Sequence, residues 1–167
     1  SLEKSRLLLH PCERGEYMLT VLDSLARNHI DFELLFEDIL EEGTVGSGIL
    51  DVPNCKFRII ILPWTKVLTP ASAEKLAEFL RKGGTVIFAG CRPCSLSNGP
   101  LTDEMKTLFG NCLLLENAVY ENKEFAGKLT NAIRNVPGAP EFRISGKNSE
   151  NVFSAMRSDD ETRTLFL

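Results

Sequence analysis

The stretch that decides the fold runs from residue 57 to residue 90 and reads FRIIILPWTKVLTPASAEKLAEFLRKGGTVIFAG. Its first seven residues, FRIIILP, are almost continuously hydrophobic, as is TVIFA at residues 85–89. Such runs are typical of parallel strands covered by helices on both faces. A strand, a helix and a strand within about 35 residues predict a right-handed βαβ unit.

The helix of this unit carries start and stop signals. Thr69 is suited to the N-cap and Pro70 to the first helical position, where an N–H would have no intrahelical partner. The pair Gly83-Gly84 predicts the end of the helix, because glycine accepts a left-handed backbone. The predicted apolar stripe consists of Ala73, Leu76, Ala77 and Leu80.

Shorter patterns precede the βαβ unit. Residues 6–10 predict a buried strand closed by Pro11, and residues 15–28 predict a helix with one apolar face. That face is formed by Met18, Val21, Leu22 and Leu25. Residues 30–36 predict a second strand, and the acidic residues 37–42 one helical turn before a glycine-containing loop that extends to Gly48.

Beyond Gly90 we predict a loop at 91–100, a helix capped by Thr102 and ended by Gly110, a strand at 112–115 and an amphipathic helix over 125–136. Short alternating stretches predict β-structure from 141 to 167.

The predicted class is α/β: a three-layer, Rossmann- or flavodoxin-like fold with a mostly parallel sheet and a short β-rich C-terminal segment. We expect residues 1–140 to form the α/β domain, and residues 141–167 to pack on it and lead into a following domain. The final residues TLFL end the chain on an apolar strand pattern, so we expect a domain of a longer protein.

Composition excludes some classes of protein. Of 167 residues, 19 are Lys or Arg and 23 are Asp or Glu, a net charge of −4 that argues against nucleic-acid binding. No apolar run approaches the roughly 20 residues that span a bilayer, so a membrane partner is not expected. Five dispersed cysteines predict free thiols, which favours a cytoplasmic location over a periplasmic or secreted one.

Cys91 is the clearest candidate for chemistry, because it follows a predicted strand at the edge where open α/β sheets bind ligands. A thiol nucleophile needs a base, usually histidine, and the chain has only His10 and His29. His10 ends the first predicted strand, which could lie near the same edge of a doubly wound sheet, whereas His29 is expected to interact with the terminal carbonyls of its helix. Pro93 also makes a helix starting at the cysteine unfavourable.

Cys91 and Cys94 also form a Cys-x-x-Cys pair. A redox pair draws its reactivity from a helix N-terminus, whereas the residues that follow are loop-like. A structural zinc needs four ligands, and no second close Cys/His pair exists. The alternative is that both are small, partly buried thiols in a loop.

Other candidates have structural interpretations. The pairs Glu37-Asp38 and Glu41-Glu42 could suggest a cation or a sugar-hydrolysing site, but adjacent acids usually form a solvated surface. Trp64 could stack on a ligand, or it could cap the core beside the helix. We read the remaining polar pairs as turns: Ser47-Gly48, Ser145-Gly146 and Asp159-Asp160 beside Glu161.

Several stretches together resemble a known family. FRIIILP at 57–63, Leu68-Thr69 before a helix, and FLRKGGTVIFAG at 79–90 followed by Pro93 resemble the class I glutamine amidotransferase-like domain of multidomain bacterial glycoside hydrolases. This domain is similar to the trimerisation domain of some β-galactosidases and to a module of α-L-rhamnosidase-like enzymes. Three further stretches add to the resemblance: DFE at 31–33 with Glu37-Asp38, Met156-Arg157 with Asp159-Asp160, and LFL at 165–167.

The resemblance implies the fold without the amidotransferase activity. Such enzymes carry Gly-x-Cys-x-Gly at the strand end and a later His-x-Glu. Here the sequence is Gly90-Cys91-Arg92-Pro93-Cys94, which lacks the second glycine, and no histidine follows Cys91. In the hydrolase relatives the catalytic carboxylates lie in a separate barrel. We therefore assign no catalytic, cofactor-binding or metal-binding residue to this chain.

Three hypotheses follow. The first is a non-catalytic accessory domain of a glycoside hydrolase, with that enzyme's catalytic domain or a second copy as its partner. The second is a free-standing thiol enzyme that uses Cys91. The third is a small-molecule-binding module with a closed pocket beside Trp64 and Gly90.

Overall fold

A computed structural model of the protein describes residues 13–53, 55–116 and 122–139, together with Gly146, Ser149 and the backbone of 155–158 and 163–166. The strand expected at 6–10, with His10, and the turn expected at Asp159-Asp160 lie outside the described residues.

Five helices and eleven strands are described. The helices are α1 (Glu13–Arg27), α2 (Glu37–Glu42), α3 (Pro70–Arg81), α4 (Asp103–Asn111) and α5 (Lys123–Arg134). The strands before α3 are β1 (Thr44–Gly46), β2 (Ile49–Val52), β3 (Cys55–Phe57), β4 (Ile59–Pro63) and β5 (Val67–Leu68). The later strands are β6 (Thr85–Ala89), β7 (Ser95–Leu96), β8 (Gly99–Pro100), β9 (Leu113–Leu115), β10 (Ala155–Ser158) and β11 (Arg163–Phe166). Among the described helices, none combines the length and the apolar character that crossing a bilayer requires.

The central sheet contains three parallel strands in the order β4-β6-β9. Its register pairs Leu62 with Phe88 and Phe88 with Leu114, so the carboxyl ends of the strands meet at one edge. The unit β4-α3-β6 is the predicted βαβ unit. The carboxyl edge of this sheet is therefore where a site is expected.

Both faces of this sheet are covered. Ile60 and Leu62 point into a core cluster shared with α3 and α4, whereas Ile59 and Ile61 pack against a second cluster shared with α1 and α5. Because successive side chains of a strand point to opposite faces, the two clusters lie on opposite sides of the sheet. Three layers result, as the continuous apolar strands predict.

Among the described strands, parallel pairing is confined to the central sheet and to β5 with β7. β1, β2 and β3 form an antiparallel meander, β7 pairs antiparallel with β8, and β10 pairs antiparallel with β11. The prediction of a mostly parallel sheet is thus right for the central sheet, whereas the smaller sheets contain antiparallel strands. The loop expected between Gly43 and Gly48 is part of the meander, because Ser47 and Gly48 both have positive φ and form a two-residue hairpin turn.

Residues 30–36 form no strand, which corrects a second prediction. The prediction relies on their β-forming side chains, but a strand also needs a neighbouring strand with which its backbone forms hydrogen bonds. Leu35 packs against the first core cluster, but Phe32, Leu34 and Phe36 are exposed. The single helical turn expected after them is α2.

The predicted helix caps of α3 and α4 are confirmed. The Thr69 hydroxyl accepts a hydrogen bond from Ser72 N at 3.1 Å, and the Thr102 hydroxyl accepts one from Met105 N at 3.2 Å. Gly83 ends α3 with φ +90°. Gly110 does not end α4, which continues through Asn111.

Candidate functional site at the carboxyl edge of the sheet

The turns after β4 and β6 are tied to the neighbouring strand ends. Trp64 N donates a hydrogen bond to the Ala89 carbonyl at 2.7 Å, and Gly90 N donates one to the Leu115 carbonyl at 2.8 Å. These bonds connect the ends of all three central strands. Backbone hydrogen bonds therefore hold the first residues after β4 and β6 against the neighbouring strand ends.

Trp64 is held in an unusual conformation between two side chains. Its φ is +43°, a region that few non-glycine residues adopt. Its ring stacks on Tyr17 of α1, with 4.6 Å between the centroids and 22° between the planes. Lys66 Nζ lies 4.5 Å from the centroid of the Trp64 ring. With Tyr17 and Lys66 against its ring, Trp64 joins α1 to the sheet edge, which agrees with the structural interpretation of this residue.

Tyr17 is the contact that the sequence pattern missed. The predicted apolar face of α1 began at Met18, but Met18 is exposed and Tyr17 packs against the second core cluster. Tyr17, Val21 and Leu25 follow an i, i+4, i+8 spacing. That spacing, with an aromatic residue at its start, was the available signal.

Gly90 leaves room for these rings. Its φ is +96°, and a Cβ built there would overlap the Tyr17 ring and lie 2.7 Å from Trp64 Cε3. A glycine is therefore required both by the backbone conformation and by the close approach of the two rings. In the described structure, the two rings fill the space directly beside the Gly90 Cα.

Cys91 follows Gly90, and its surroundings in the described structure disfavour the thiolate. Burial raises the pKa of the Cys91 thiol, an effect that nearby Lys66 opposes and Cys94 strengthens. The chain then continues into β7 rather than into a helix. No helix N-terminus follows to stabilise a thiolate, which is the usual source of a low thiol pKa in this setting.

Cys94 is exposed and belongs to the backbone network of the small sheet. Its N–H donates to the Lys66 carbonyl at 2.9 Å, and its Sγ donates to the same oxygen at 3.4 Å. The four described cysteines are free thiols. Among the described residues, no group of three or more His, Cys, Asp or Glu side chains is arranged to hold a metal ion.

His29 lies beyond the C-terminal end of α1, with φ +57°. Its N–H donates to the Ala26 carbonyl at 3.1 Å, and its buried Nδ1 has no hydrogen-bond partner in the described part of the chain. Tyr17, which contacts Trp64 at the carboxyl edge, lies ten residues before Arg27, which is about 15 Å along the axis of α1. His29 therefore lies at the opposite end of α1 from that contact. The backbone of His29, rather than its imidazole, makes the predicted contact with the helix end.

Arg92 holds the loop after β6 against the end of α4. Its Nε donates to the Phe109 carbonyl at 3.0 Å, and one terminal nitrogen donates to the Cys112 carbonyl at 2.7 Å. Burial raises the pKa of Cys112 to about 11, although Arg92 opposes this effect. Arg92 thus adds a charged donor at the end of α4, where the Phe109 carbonyl also accepts a hydrogen bond from Cys112 N at 3.2 Å.

The acidic residues of α2 have two different environments. Glu41 is half-buried, and its Oε1 accepts hydrogen bonds from the Thr69 hydroxyl at 2.6 Å and from the Ser72 hydroxyl at 2.8 Å. These bonds lower the pKa of Glu41. Asp38 and Glu42 are exposed. The prediction of a solvated surface therefore holds for Asp38 and Glu42, whereas Glu41 fixes α2 to the start of α3.

An open depression of about 460 Å³ lies elsewhere, at the edge of the sheet beside β9. It is lined by Thr85 and Val86 at the start of β6, by Leu113 of β9, and by residues of α3, α4 and α5. It is therefore far along β6 from the turn that carries Gly90 and Cys91. Among the residues that line the depression, Cys112 carries the reactive side chain, and burial raises the pKa of its thiol.

The chain is similar to part of a solved structure, the apo form of an exo-carrageenase of family GH42 from Bacteroides ovatus, with a TM-score of 0.52 and 18% sequence identity. The match covers 88% of this chain and 19% of that enzyme. No protein-family model and no curated protein matches the sequence. At this identity the likeness establishes a shared fold, and it makes this chain comparable to a small portion of a glycoside hydrolase.

Proposed function

We propose that this chain is a non-catalytic accessory module of a glycoside hydrolase, acting in carbohydrate degradation by packing against a catalytic domain or by joining subunits. The observation that carries the proposal is the match between most of this chain and 19% of the length of a GH42 exo-carrageenase. A piece of this size fits a supporting domain attached to a larger catalytic unit. In this proposal the chain has a structural role, and the catalytic domain binds and cleaves the sugar.

The side chains at the carboxyl edge of the sheet favour a structural role for this chain. The Tyr17 and Trp64 rings fill the space beside Gly90, and Lys66 covers part of the Trp64 ring. A sugar stacked on an aromatic residue needs an open ring face. The arrangement therefore favours a structural joint between α1 and the sheet over a sugar-binding platform.

The finer assignment is to the class I glutamine amidotransferase-like modules of these hydrolases. Gly90-Cys91 at the end of β6 stands where such enzymes carry their nucleophile. The raised pKa of Cys91 and the turn into β7 agree with a descendant that has lost the thiol chemistry. The rival proposal, a thiol enzyme that uses Cys91, rests on the position of this residue directly after a glycine with positive φ.

The two proposals predict different behaviour of the longer protein and of the isolated chain. We expect a Cys91→Ser variant of the longer protein to hydrolyse a panel of galactosides, rhamnosides and carrageenan oligosaccharides at the wild-type rate. Cys94→Ser is the matched control, because it removes the neighbouring thiol. The isolated chain should release neither sugar from these substrates nor ammonia from glutamine. Loss of activity in the Cys91 variant alone, or turnover by the isolated chain, would overturn the accessory role.

A further inference from the structure

Four of the eight exposed large apolar side chains of the described structure lie in one short segment of the sequence. Phe36 is 64% exposed and Leu34 is 51% exposed, and Phe32 and Ile39 are exposed as well. All four lie within the eight residues 32–39, which we call the apolar ridge. Single exposed apolar residues are common, but a contiguous group indicates a contact surface.

The ridge is part of a strongly acidic segment. Residues 31–42 contain no Lys, Arg or His. The carboxylates of this segment are Asp31, Glu33, Glu37, Asp38, Glu41 and Glu42. In the described part of the chain, no ion pair involves Asp31, Glu37, Asp38 or Glu42. The ridge therefore presents apolar side chains among negative charges.

The backbone that carries the ridge is fixed to the core. Leu40 is buried in the first core cluster, and Leu35 packs against it. Leu40 N donates to the Phe36 carbonyl at 2.9 Å, and Glu41 is bonded to the Thr69 and Ser72 hydroxyls. A preorganised surface of this kind loses little conformational entropy when it is buried.

The charge of the segment selects the partner. A two-fold contact between two copies would bring each acidic segment against the other, because such contacts use the same patch on both subunits. Like charges at an interface are unfavourable, whereas opposite potentials favour docking. We propose that the apolar ridge docks onto a neighbouring domain of the same polypeptide, in an apolar pocket rimmed by Lys and Arg. This inference rests on the proposed function and names the partner surface that the accessory role requires.

The test places the photo-cross-linking residue p-benzoylphenylalanine at position 36 of the longer protein. Position 19 on α1 is the matched control, because Leu19 is 47% exposed and α1 packs on the opposite face of the sheet from the first core cluster. After irradiation, cross-linked peptides are identified by mass spectrometry in a mixture of isotopically light and heavy protein. We expect position 36 to cross-link within one polypeptide to a peptide outside residues 1–167 that contains Lys or Arg.

A charge reversal supplies a second readout. Glu42→Lys should lower the yield of this cross-link at least threefold, and Glu116→Lys should leave it unchanged, because Glu116 is an exposed acid after β9 and outside the segment. Cross-links from position 36 to residues 1–167, or between two copies, would overturn the inference. Cross-links outside the chain from position 19 but not from 36 would overturn it while leaving the accessory role intact. If neither position cross-linked outside residues 1–167, the inference would fail, and the accessory role would still be decided by the activity of the Cys91→Ser variant and of the isolated chain.

Discussion

The ring of Tyr17, on the first described helix, stacks on the ring of Trp64, directly after the first central strand, with 4.6 Å between their centroids. This contact joins the layer on one face of the sheet to the edge where ligands bind in related folds. It forms because Gly90 offers no side chain between the rings and the strand ends. The same contact fixes α1 to this edge of the sheet.

The stacking predicts energetic coupling between Tyr17 and Trp64. In a double-mutant cycle with Tyr17→Leu and Trp64→Leu, urea unfolding should give a coupling free energy of about 0.5–1.5 kcal/mol, as measured for aromatic pairs. Tyr17→Leu combined with Phe109→Leu is the control, because Phe109 lies in the other core cluster. That pair should be additive within about 0.5 kcal/mol. Additivity of the Tyr17 and Trp64 changes would contradict the contact.

Gly90→Ala should destabilise the fold strongly. The new Cβ would require a positive φ and would overlap the Tyr17 ring, so we expect a loss of more than about 2 kcal/mol in the free energy of unfolding. Gly99→Ala is the matched control, because a Cβ at Gly99 meets nothing within 4 Å. Its effect should stay within about 0.5 kcal/mol. Equal losses for the two variants would show that the space at Gly90 is not restricted.

Arg92→Ala should cost about 2 kcal/mol, because it leaves the Phe109 and Cys112 carbonyls without their charged donor. Arg81→Ala removes exposed ion pairs with Glu74 and Glu104 and should cost less than about 1 kcal/mol. Chemical denaturation of both variants measures the difference. An Arg92 variant as stable as the Arg81 variant would argue against its role at the end of α4.

Glu41 should make the fold sensitive to acid. Its pKa is lowered in the folded state, so the stability it contributes is present above its ordinary value of 4.5 and is lost as pH falls through the folded pKa. Thermal unfolding of Glu41→Gln should therefore show a smaller decrease in Tm between pH 6 and pH 3 than the wild type. Glu42→Gln, at the exposed neighbouring position, should keep the wild-type slope. A wild-type slope in the Glu41 variant would show that its bonds to Thr69 and Ser72 do not bind the charged form.

The sequence predicts the parts of the fold that local rules determine. FRIIILP and TVIFA carry the pattern of buried parallel strands, and Thr69 and Gly83 carry the cap signals of the helix between them. Residues 30–36 have strand-forming side chains, but the partner ladder that a strand requires is a tertiary property. The sequence predicts the turn at Ser47-Gly48 but not the short strands that flank it. It therefore does not predict the β1-β2-β3 meander.

The sequence predicts where the candidate site lies but not which side chains fill it. The strand ends predict that Gly90 and Cys91 lie at the carboxyl edge, and they do. The Tyr17 ring, however, comes from a helix more than 40 residues before Trp64, so only the folded structure brings it there. Thiol chemistry at Cys91 would need a histidine as base. Whether His10 lies near Cys91 is not tested, because His10 lies outside the described residues.

Alkylation of Cys91 tests the central claim, that this edge of the sheet carries no catalytic thiol, most directly. The rate constant of each cysteine with iodoacetamide at pH 7 is measured by peptide mass spectrometry, with glutathione as the reference thiol. We predict that exposed Cys94 reacts first, that Cys91 reacts no faster than glutathione, and that Cys112, whose pKa burial raises to about 11, reacts last. A Cys91 that reacts faster than both glutathione and Cys94 would contradict the account and favour the thiol enzyme.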